Sequence, residues 1–217
     1  MIIESVSEVS ASGLYRIRFE KGAVCYARQE YLSSIILENL CAGQKISEDN
    51  VNELTEASLT VAVELKANEY LARAEQSRFG LTQKLQKKQF GLQYIKKALD
   101  YLEEKKYLDD LRYSTAWLNT RKINHYEGRI RLLAELKNRG ISEKNASDAV
   151  KDFFEYNDEY EICKKAYEKF LKSGLEEDKI IQKMNKAGFS YKLQQQIKED
   201  LNERINQMAE MAPFDLT

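Results

Sequence analysis

The side chains with the clearest chemical potential in this sequence are basic, and they are concentrated in the middle of the chain. Residues 73–139 hold 16 Lys and Arg against 8 Asp and Glu, a net charge of +8, whereas the whole 217-residue chain carries −1. Arginine suits bidentate contacts to carboxylate or phosphate. The sequence therefore predicts a central basic surface that attracts nucleic acid or an acidic protein surface.

Ten basic residues in this region are the candidates for such contacts. They are Arg73, Arg78, Lys84, Lys87, Lys88, Arg121, Lys122, Arg129, Arg131 and Arg139. For any one of them, a solvated helix surface is an equally good interpretation. The concentration of charge favours a functional role for the group. The acidic ends of the chain argue against a protein that simply coats DNA.

Enzymatic chemistry has little support in the sequence. His125 is the only histidine and has no evident Cys or Ser partner. Phosphate-binding glycine loops, dinucleotide fingerprints and HExxH zinc motifs are all missing from the sequence. Asp109 and Asp110 open a predicted helix, where capping and the helix dipole explain them. We expect that the protein is not an enzyme and that it has no catalytic residues, no bound metal and no cofactor.

The composition predicts a helical protein. One Pro and nine Gly are present, against about 11 and about 15 at average usage, which argues against an all-β fold. The sequence contains neither an 18-residue apolar run nor a signal-peptide pattern at its start. Three widely spaced cysteines indicate reduced thiols, so we expect a cytoplasmic protein without a membrane segment.

The elements that must position the basic residues fall into two kinds. Residues 1–46 read as a small β-meander followed by a helix around 30–40 on which the strands can pack. From Ser47 onward the apolar period is helical, with stripes such as Ile95, Ala98, Leu99 and Leu102. We expect a tail at 208–217 that is frayed.

An internal repeat organises the helical part. The strings KLQKKQF at 84–90, ELKNRGI at 135–141 and KMNKAGF at 183–189 align at offsets of about 50 residues. In each copy a helix ends at Gln89, Gly140 or Gly188, and the next residue is apolar, as in a helix-terminating turn. The sequence predicts three-helix repeats at 53–106, 107–156 and 157–207, stacked as an elongated, curved array.

Three further strings make the chain resemble a known family, the RecX regulatory proteins. They are YLARAEQSR at 70–78, YLDDLRY at 107–113, and GRIR at 128–131 followed by ELKNRGI. The resemblance spans roughly residues 67–207 and excludes the meander. The chain departs from the family pattern at Ala74 and Gln76, and again at 125–128, and both departures remove positive charge.

The resemblance implies a curved, all-α protein of tandem three-helix repeats that binds the RecA recombinase. It implies binding in the helical groove of the RecA–single-stranded DNA filament, with inhibition of strand exchange and coprotease activity as the usual consequence, in DNA repair and the SOS response. We expect a monomer. The residues assigned to RecA or DNA contact are Arg73, Arg78, Lys84, Lys88, Arg121, Arg129, Arg131 and Arg139.

Two other functions remain open at this point. A single-stranded DNA-binding module would show a steep salt dependence of binding, because phosphate neutralisation releases counterions. A generic helical-repeat adaptor for another protein is also compatible with the pattern, since fold alone does not fix function.

Overall fold

A computed structural model describes residues 1–10 and 13–211. Over these residues it holds three β-strands, one short 3₁₀ turn and ten α-helices. The predicted mainly α class with a small N-terminal β-meander is confirmed. The strands are β1 (Ile3–Ser10), β2 (Leu14–Phe19) and β3 (Val24–Arg28). The helices are α1 (Ser34–Glu38), α2 (Glu48–Leu71), α3 (Arg78–Lys87), α4 (Leu92–Glu104), α5 (Asp110–Asn124), α6 (Arg129–Asn138), α7 (Glu143–Glu155), α8 (Glu159–Lys172), α9 (Glu177–Ala187) and α10 (Tyr191–Met211).

The chain divides into two compact units, residues 1–109 and residues 110–217. The first unit contains the sheet and α1–α4, and the second contains α5–α10. The repeat boundaries at 53–106, 107–156 and 157–207 stay a prediction. Of the expected tail at 208–217, residues 212–217 lie outside the described residues, as do Ala11 and Ser12 in the expected first turn.

The N-terminal sheet is antiparallel in the order β1-β2-β3. Its apolar face contributes Ile3, Ile17 and Phe19 to a core. The sequence predicted that the helix around 30–40 would cover this face, but the α-helix there has five residues and buries only Ile36. The N-terminal half of α2 supplies the rest of the cover through Leu54 and Ala57. A single turn of helix is too small to bury three strands, so the long helix shares the task.

A buried ion pair ties the sheet to the helices of the first unit. Arg28, at the end of β3, pairs with Glu64 of α2 at 2.5 Å, and both side chains are almost fully buried. The Tyr31 hydroxyl donates a hydrogen bond to the same carboxylate at 2.9 Å, and the Arg28 guanidinium lies 4.5 Å from the centre of the Tyr101 ring on α4. Burial and the neighbouring Glu64 charge raise the pKa of Tyr31, which keeps its hydroxyl protonated as a donor.

The predicted ends of three helices form as expected. Gln89, Gly140 and Gly188 have positive φ angles of 64°, 78° and 82°. In each copy the following amide, of Phe90, Ile141 or Phe189, donates a hydrogen bond to a carbonyl five residues back, over 3.2–3.3 Å. These carbonyls belong to Leu85, Leu136 and Met184, which are fully buried. The three turns are Schellman motifs, and each anchors its helix in a core.

Inside the second unit, the start of α6 abuts the end of α9. The amides of Gly128 and Ile130 donate to the carbonyls of Ala187 and Gly188 over 2.8 and 3.3 Å. A Cβ added to Gly128 would lie 2.7 Å from both the Gly188 carbonyl carbon and the Phe189 ring. Glycine is therefore required for this approach, which joins residues 60 positions apart in the chain.

Candidate functional site

In the first unit, one of the four predicted contact residues is engaged in ion pairs between helices. Arg78 begins α3, and its guanidinium reaches Asp100 at 2.6 Å and Glu103 at 2.5 Å, both on α4. Partial burial lowers the pKa of Arg78, but the two carboxylates reverse this and hold it above its usual value. Arg78 therefore stays charged and fastens α3 to α4.

The other three first-unit residues are exposed to solvent. Lys84 donates a hydrogen bond to the Gln76 side chain at 2.5 Å, and its Nζ lies 5.3 Å from the centre of the Tyr70 ring. Arg73 follows the end of α2, and Lys88 lies at the end of α3, both exposed. Of the four predicted contact residues in this unit, Arg73, Lys84 and Lys88 are thus the three that a partner can reach.

In the second unit, Glu127 gathers two of the predicted arginines. Its carboxylate accepts two hydrogen bonds from Arg121, at 2.6 and 2.9 Å, and forms an ion pair with Nε of Arg131 at 2.7 Å. The side chain of Glu127 is only 8% exposed. Burial by itself raises the pKa of Glu127, but the two guanidinium groups outweigh it and leave the pKa below its usual value.

The remaining two arginines pair with other carboxylates. Nε of Arg129 lies 2.7 Å from Glu159 of α8, and the Arg129 guanidinium stands 4.4 Å from the centre of the Phe154 ring. Arg139 pairs with Glu135 one turn earlier on α6, at 2.9 Å, and lies 4.6 Å from the centre of the Trp117 ring. Arg129 is nevertheless 46% exposed, so a partner has access to its guanidinium.

These arginines were predicted from the sequence, but the acidic partners that hold them were not. The pairs Glu127–Arg131 and Glu135–Arg139 have i,i+4 spacing, which the sequence displays openly. The partners of Arg78 and Arg129 lie 22 to 30 residues away, and no local pattern indicates them.

A basic groove in the second unit, between the 125–128 loop and helices α8 and α9, was not predicted from the sequence. Its cations include Lys169, Lys183 and Lys186, which lie in the part of the chain that is acidic overall. Among the described residues, no three His, Cys, Asp or Glu side chains cluster as metal ligands do. In the same part of the chain, no helix is long and apolar enough to span a membrane.

Comparison with known proteins identifies relatives of this chain. The family model described as "RecX, second three-helix domain" matches residues 109–150. The regulatory protein RecX of Treponema pallidum (strain Nichols) is 31% identical over 132 residues, which cover 61% of this chain and 80% of that protein. The regulatory protein RecX of Streptococcus pneumoniae (strain ATCC 700669 / Spain 23F-1) is 25% identical over 204 residues, which cover 89% of this chain and 75% of that protein.

Solved structures support the fold. A crystal structure of regulatory protein RecX superposes with a TM-score of 0.72 at 19% identity, covering 91% of this chain and 98% of the other. The crystal structure of RecX from Lactobacillus salivarius gives a TM-score of 0.58 at 23% identity, and the superposition covers 67% of this chain and 98% of the other.

Proposed function

We propose that this chain, which belongs to the RecX family of regulatory proteins, binds RecA and its filament on single-stranded DNA and inhibits recombinase, ATPase and coprotease activity. The observation that carries the proposal is the family match at residues 109–150. That segment contains Arg121, Arg129, Arg131 and Arg139, half of the predicted contact residues. We place the monomeric chain in the cytoplasm, with the proposed partner.

The eight basic residues fall into two groups according to their exposure and their ion pairs. Arg73, Lys84, Lys88 and Arg129 are exposed enough to meet an acidic protein surface or a phosphate. Arg78, Arg121 and Arg131 hold helices or loops in place through their carboxylate partners, and Arg139 pairs with Glu135 of its own helix. In the first unit Arg78 fastens α3, which carries Lys84, and in the second unit the two ion pairs of Glu127 hold the loop that precedes Arg129.

Inhibition in this way requires binding alone and no catalysed reaction. A chain that contacts neighbouring subunits of a filament gains affinity from each contact, because the second binding event is intramolecular. Exposed basic side chains at separate places along the chain suit such a mode. The bound chain then blocks the addition of subunits or favours their release.

Co-sedimentation with RecA filaments assembled on single-stranded DNA tests this assignment. The variant Arg73→Glu/Lys84→Glu/Lys88→Glu should lose binding, because it reverses three exposed charges that hold no ion pair within the described residues. The matched control Arg18→Glu/Lys21→Glu/Lys96→Glu makes the same charge change at exposed positions of the same unit. Equal binding by the two variants would contradict the assignment.

A further inference from the structure

The first unit contains a groove lined by carboxylates and tyrosines, and none of the eight contact residues is among the described residues that line it. Its volume is about 320 Å³, and it lies between the 3₁₀ turn Gln29–Tyr31 and helix α4. Glu30 contributes to one wall, and Asp100 and Glu104, one helical turn apart on α4, contribute to the other. The two walls are far apart in the chain, so only the folded unit creates this groove.

The carboxylates of this groove share their cationic partners. Lys105 lies 3.3 Å from Glu30 and 4.0 Å from Glu104, so one ammonium group serves two carboxylates. Asp100 likewise shares Arg78 with a further carboxylate of α4. Asp100 and Glu104 are four residues apart on one face of α4, where like charges destabilise a helix. A cationic ligand in the groove therefore relieves repulsion that the chain's own cations leave in place.

Two tyrosine rings form an apolar surface where the walls meet. Tyr31 of the turn and Tyr101 of α4 meet edge to face, with their ring centres 5.7 Å apart. Tyr101 is only 7% exposed, yet within the described part of the chain its hydroxyl forms no hydrogen bond. The hydroxyl of a buried tyrosine ordinarily has a hydrogen-bond partner. Because Tyr101 lines the groove, a bound ligand can supply that partner.

These features favour an organic cation over a metal ion. Among the residues that the structure describes, no three carboxylate, imidazole or thiol side chains cluster as metal ligands do. Lys97 is the single cation in the described lining, and it pairs at 3.7 Å with Glu56, which lies outside that lining. Carboxylates on two walls with aromatic rings between them match a ligand that carries ammonium groups on a methylene chain, because cations are also attracted to tyrosine rings.

We propose that this groove binds a linear polyamine. Its ammonium groups pair with Glu30 on one wall and with Asp100 and Glu104 on the other. Its methylene chain lies on the rings of Tyr31 and Tyr101, and one amine forms a hydrogen bond with the Tyr101 hydroxyl. The site is separate from the basic residues assigned to RecA. A chain that inhibits RecA but does not bind a polyamine would overturn the groove assignment and leave the regulatory role intact.

Isothermal titration calorimetry of the full chain with spermidine, at low salt and without RecA, tests the contribution of the carboxylates. The variant Glu30→Gln/Glu104→Gln should bind spermidine about fivefold more weakly or worse, because two ion pairs with the ligand are lost. The control Glu20→Gln/Glu38→Gln removes the same charge from exposed positions of the same unit outside the groove, and it should bind like the parent. Equal weakening by the two double variants, or a parent chain that does not bind spermidine, would overturn the proposal.

The variant Tyr101→Phe tests the hydroxyl by itself, because it keeps the ring. Its melting temperature should equal that of the parent, while spermidine should bind about threefold more weakly or worse through loss of one hydrogen bond. The control Tyr15→Phe removes the hydroxyl of a β2 tyrosine outside the groove and should leave spermidine binding unchanged. Unchanged spermidine binding by Tyr101→Phe would overturn the proposal.

Two competitors test the class of ligand. Mg²⁺ at the same concentration of charge should displace little spermidine, because Mg²⁺ keeps its bound waters and makes no contact with the rings. Trilysine with blocked termini carries the same charge as spermidine and should also compete poorly, because its side chains branch from a backbone and cannot follow a single groove. Strong displacement by Mg²⁺ would indicate diffuse attraction of cations, and strong displacement by trilysine would indicate a site for a basic protein segment. Either result would overturn the proposal.

Discussion

At the scale of single residues, the arginines of this protein are defined by the carboxylates beside them. Glu127 shows this most directly, because one buried carboxylate holds both Arg121 and Arg131. The pairing limits where those guanidinium groups can point. An exposed residue such as Lys88 has no such constraint. Charge counting in the sequence cannot separate these two kinds of cation, because both contribute the same +1.

Glu127→Gln should lower the free energy of unfolding by about 1–3 kcal/mol, since two guanidinium groups lose their shared partner. The pKa of Glu127 is depressed in the folded chain, so its contribution is present above its unfolded pKa and is lost as pH falls through the folded value. The difference between parent and variant in urea denaturation should therefore shrink below about pH 4.5. A difference that grows with acid would contradict this assignment.

The buried pair of Arg28 and Glu64 makes a second prediction at this scale. Arg28→Met should destabilise the first unit by about 3–5 kcal/mol, because it leaves the Glu64 carboxylate buried without its partner. Adding Glu64→Met should recover much of that loss, since the double variant contains neither charge. Chemical denaturation of the two single variants and the double variant completes the cycle, and simple additivity would show that the residues are not coupled.

At the scale of helices and strands, local sequence patterns correctly predicted helix ends and buried faces. Contacts between residues far apart in the chain were not predicted. The left-handed ends at Gln89, Gly140 and Gly188 follow from strings of seven residues, because a Schellman turn is a local structure. The stripe of Ile95, Ala98, Leu99 and Leu102 is buried as its spacing predicted. The Arg28–Glu64 pair and the Gly128–Gly188 approach join residues 36 and 60 positions apart, and no periodicity indicates either.

Gln89 is a non-glycine residue in a left-handed conformation, with φ of 64°. Gln89→Gly should therefore raise the free energy of unfolding by about 0.5–1 kcal/mol, because glycine relieves the Cβ clash. Gln83→Gly, at an exposed position inside the same helix, should lower it by about 1 kcal/mol. Thermal and urea denaturation of both variants measure these two changes in the free energy of unfolding. A loss of stability from Gln89→Gly would contradict the turn assignment.

A substitution at Gly128 tests the contact between α6 and α9. Its φ of −87° is ordinary, so Gly128→Ala acts only through the clash with the Gly188 backbone. We expect a loss of about 2 kcal/mol or more in the free energy of unfolding, because the backbone contact between α6 and α9 must open to admit the methyl group. Gly91→Ala changes a glycine at the same N-cap position of α4, where the nearest contact is a Tyr94 ring atom at 3.2 Å. Similar losses from both variants would show that the close approach is unimportant.

At the scale of the whole molecule, charge is segregated along a chain that is nearly neutral overall. The region 73–139 carries +8, and it spans the end of the first compact unit and the start of the second. The family comparison accounts for a regulatory role, and the fold was predictable from the repeat and the family strings together. The basic groove was not predictable, because its lysines lie in a stretch whose net charge is −4.

The most direct test of the regulatory role is ATP hydrolysis by the cognate RecA on single-stranded DNA, with this chain titrated at amounts well below RecA. ATP hydrolysis should fall at these substoichiometric amounts, because one bound chain affects many subunits of a filament. Arg73→Glu/Lys84→Glu/Lys88→Glu should lose that effect, and Arg18→Glu/Lys21→Glu/Lys96→Glu should keep it. Hydrolysis that is unchanged even at equimolar parent chain would contradict the account.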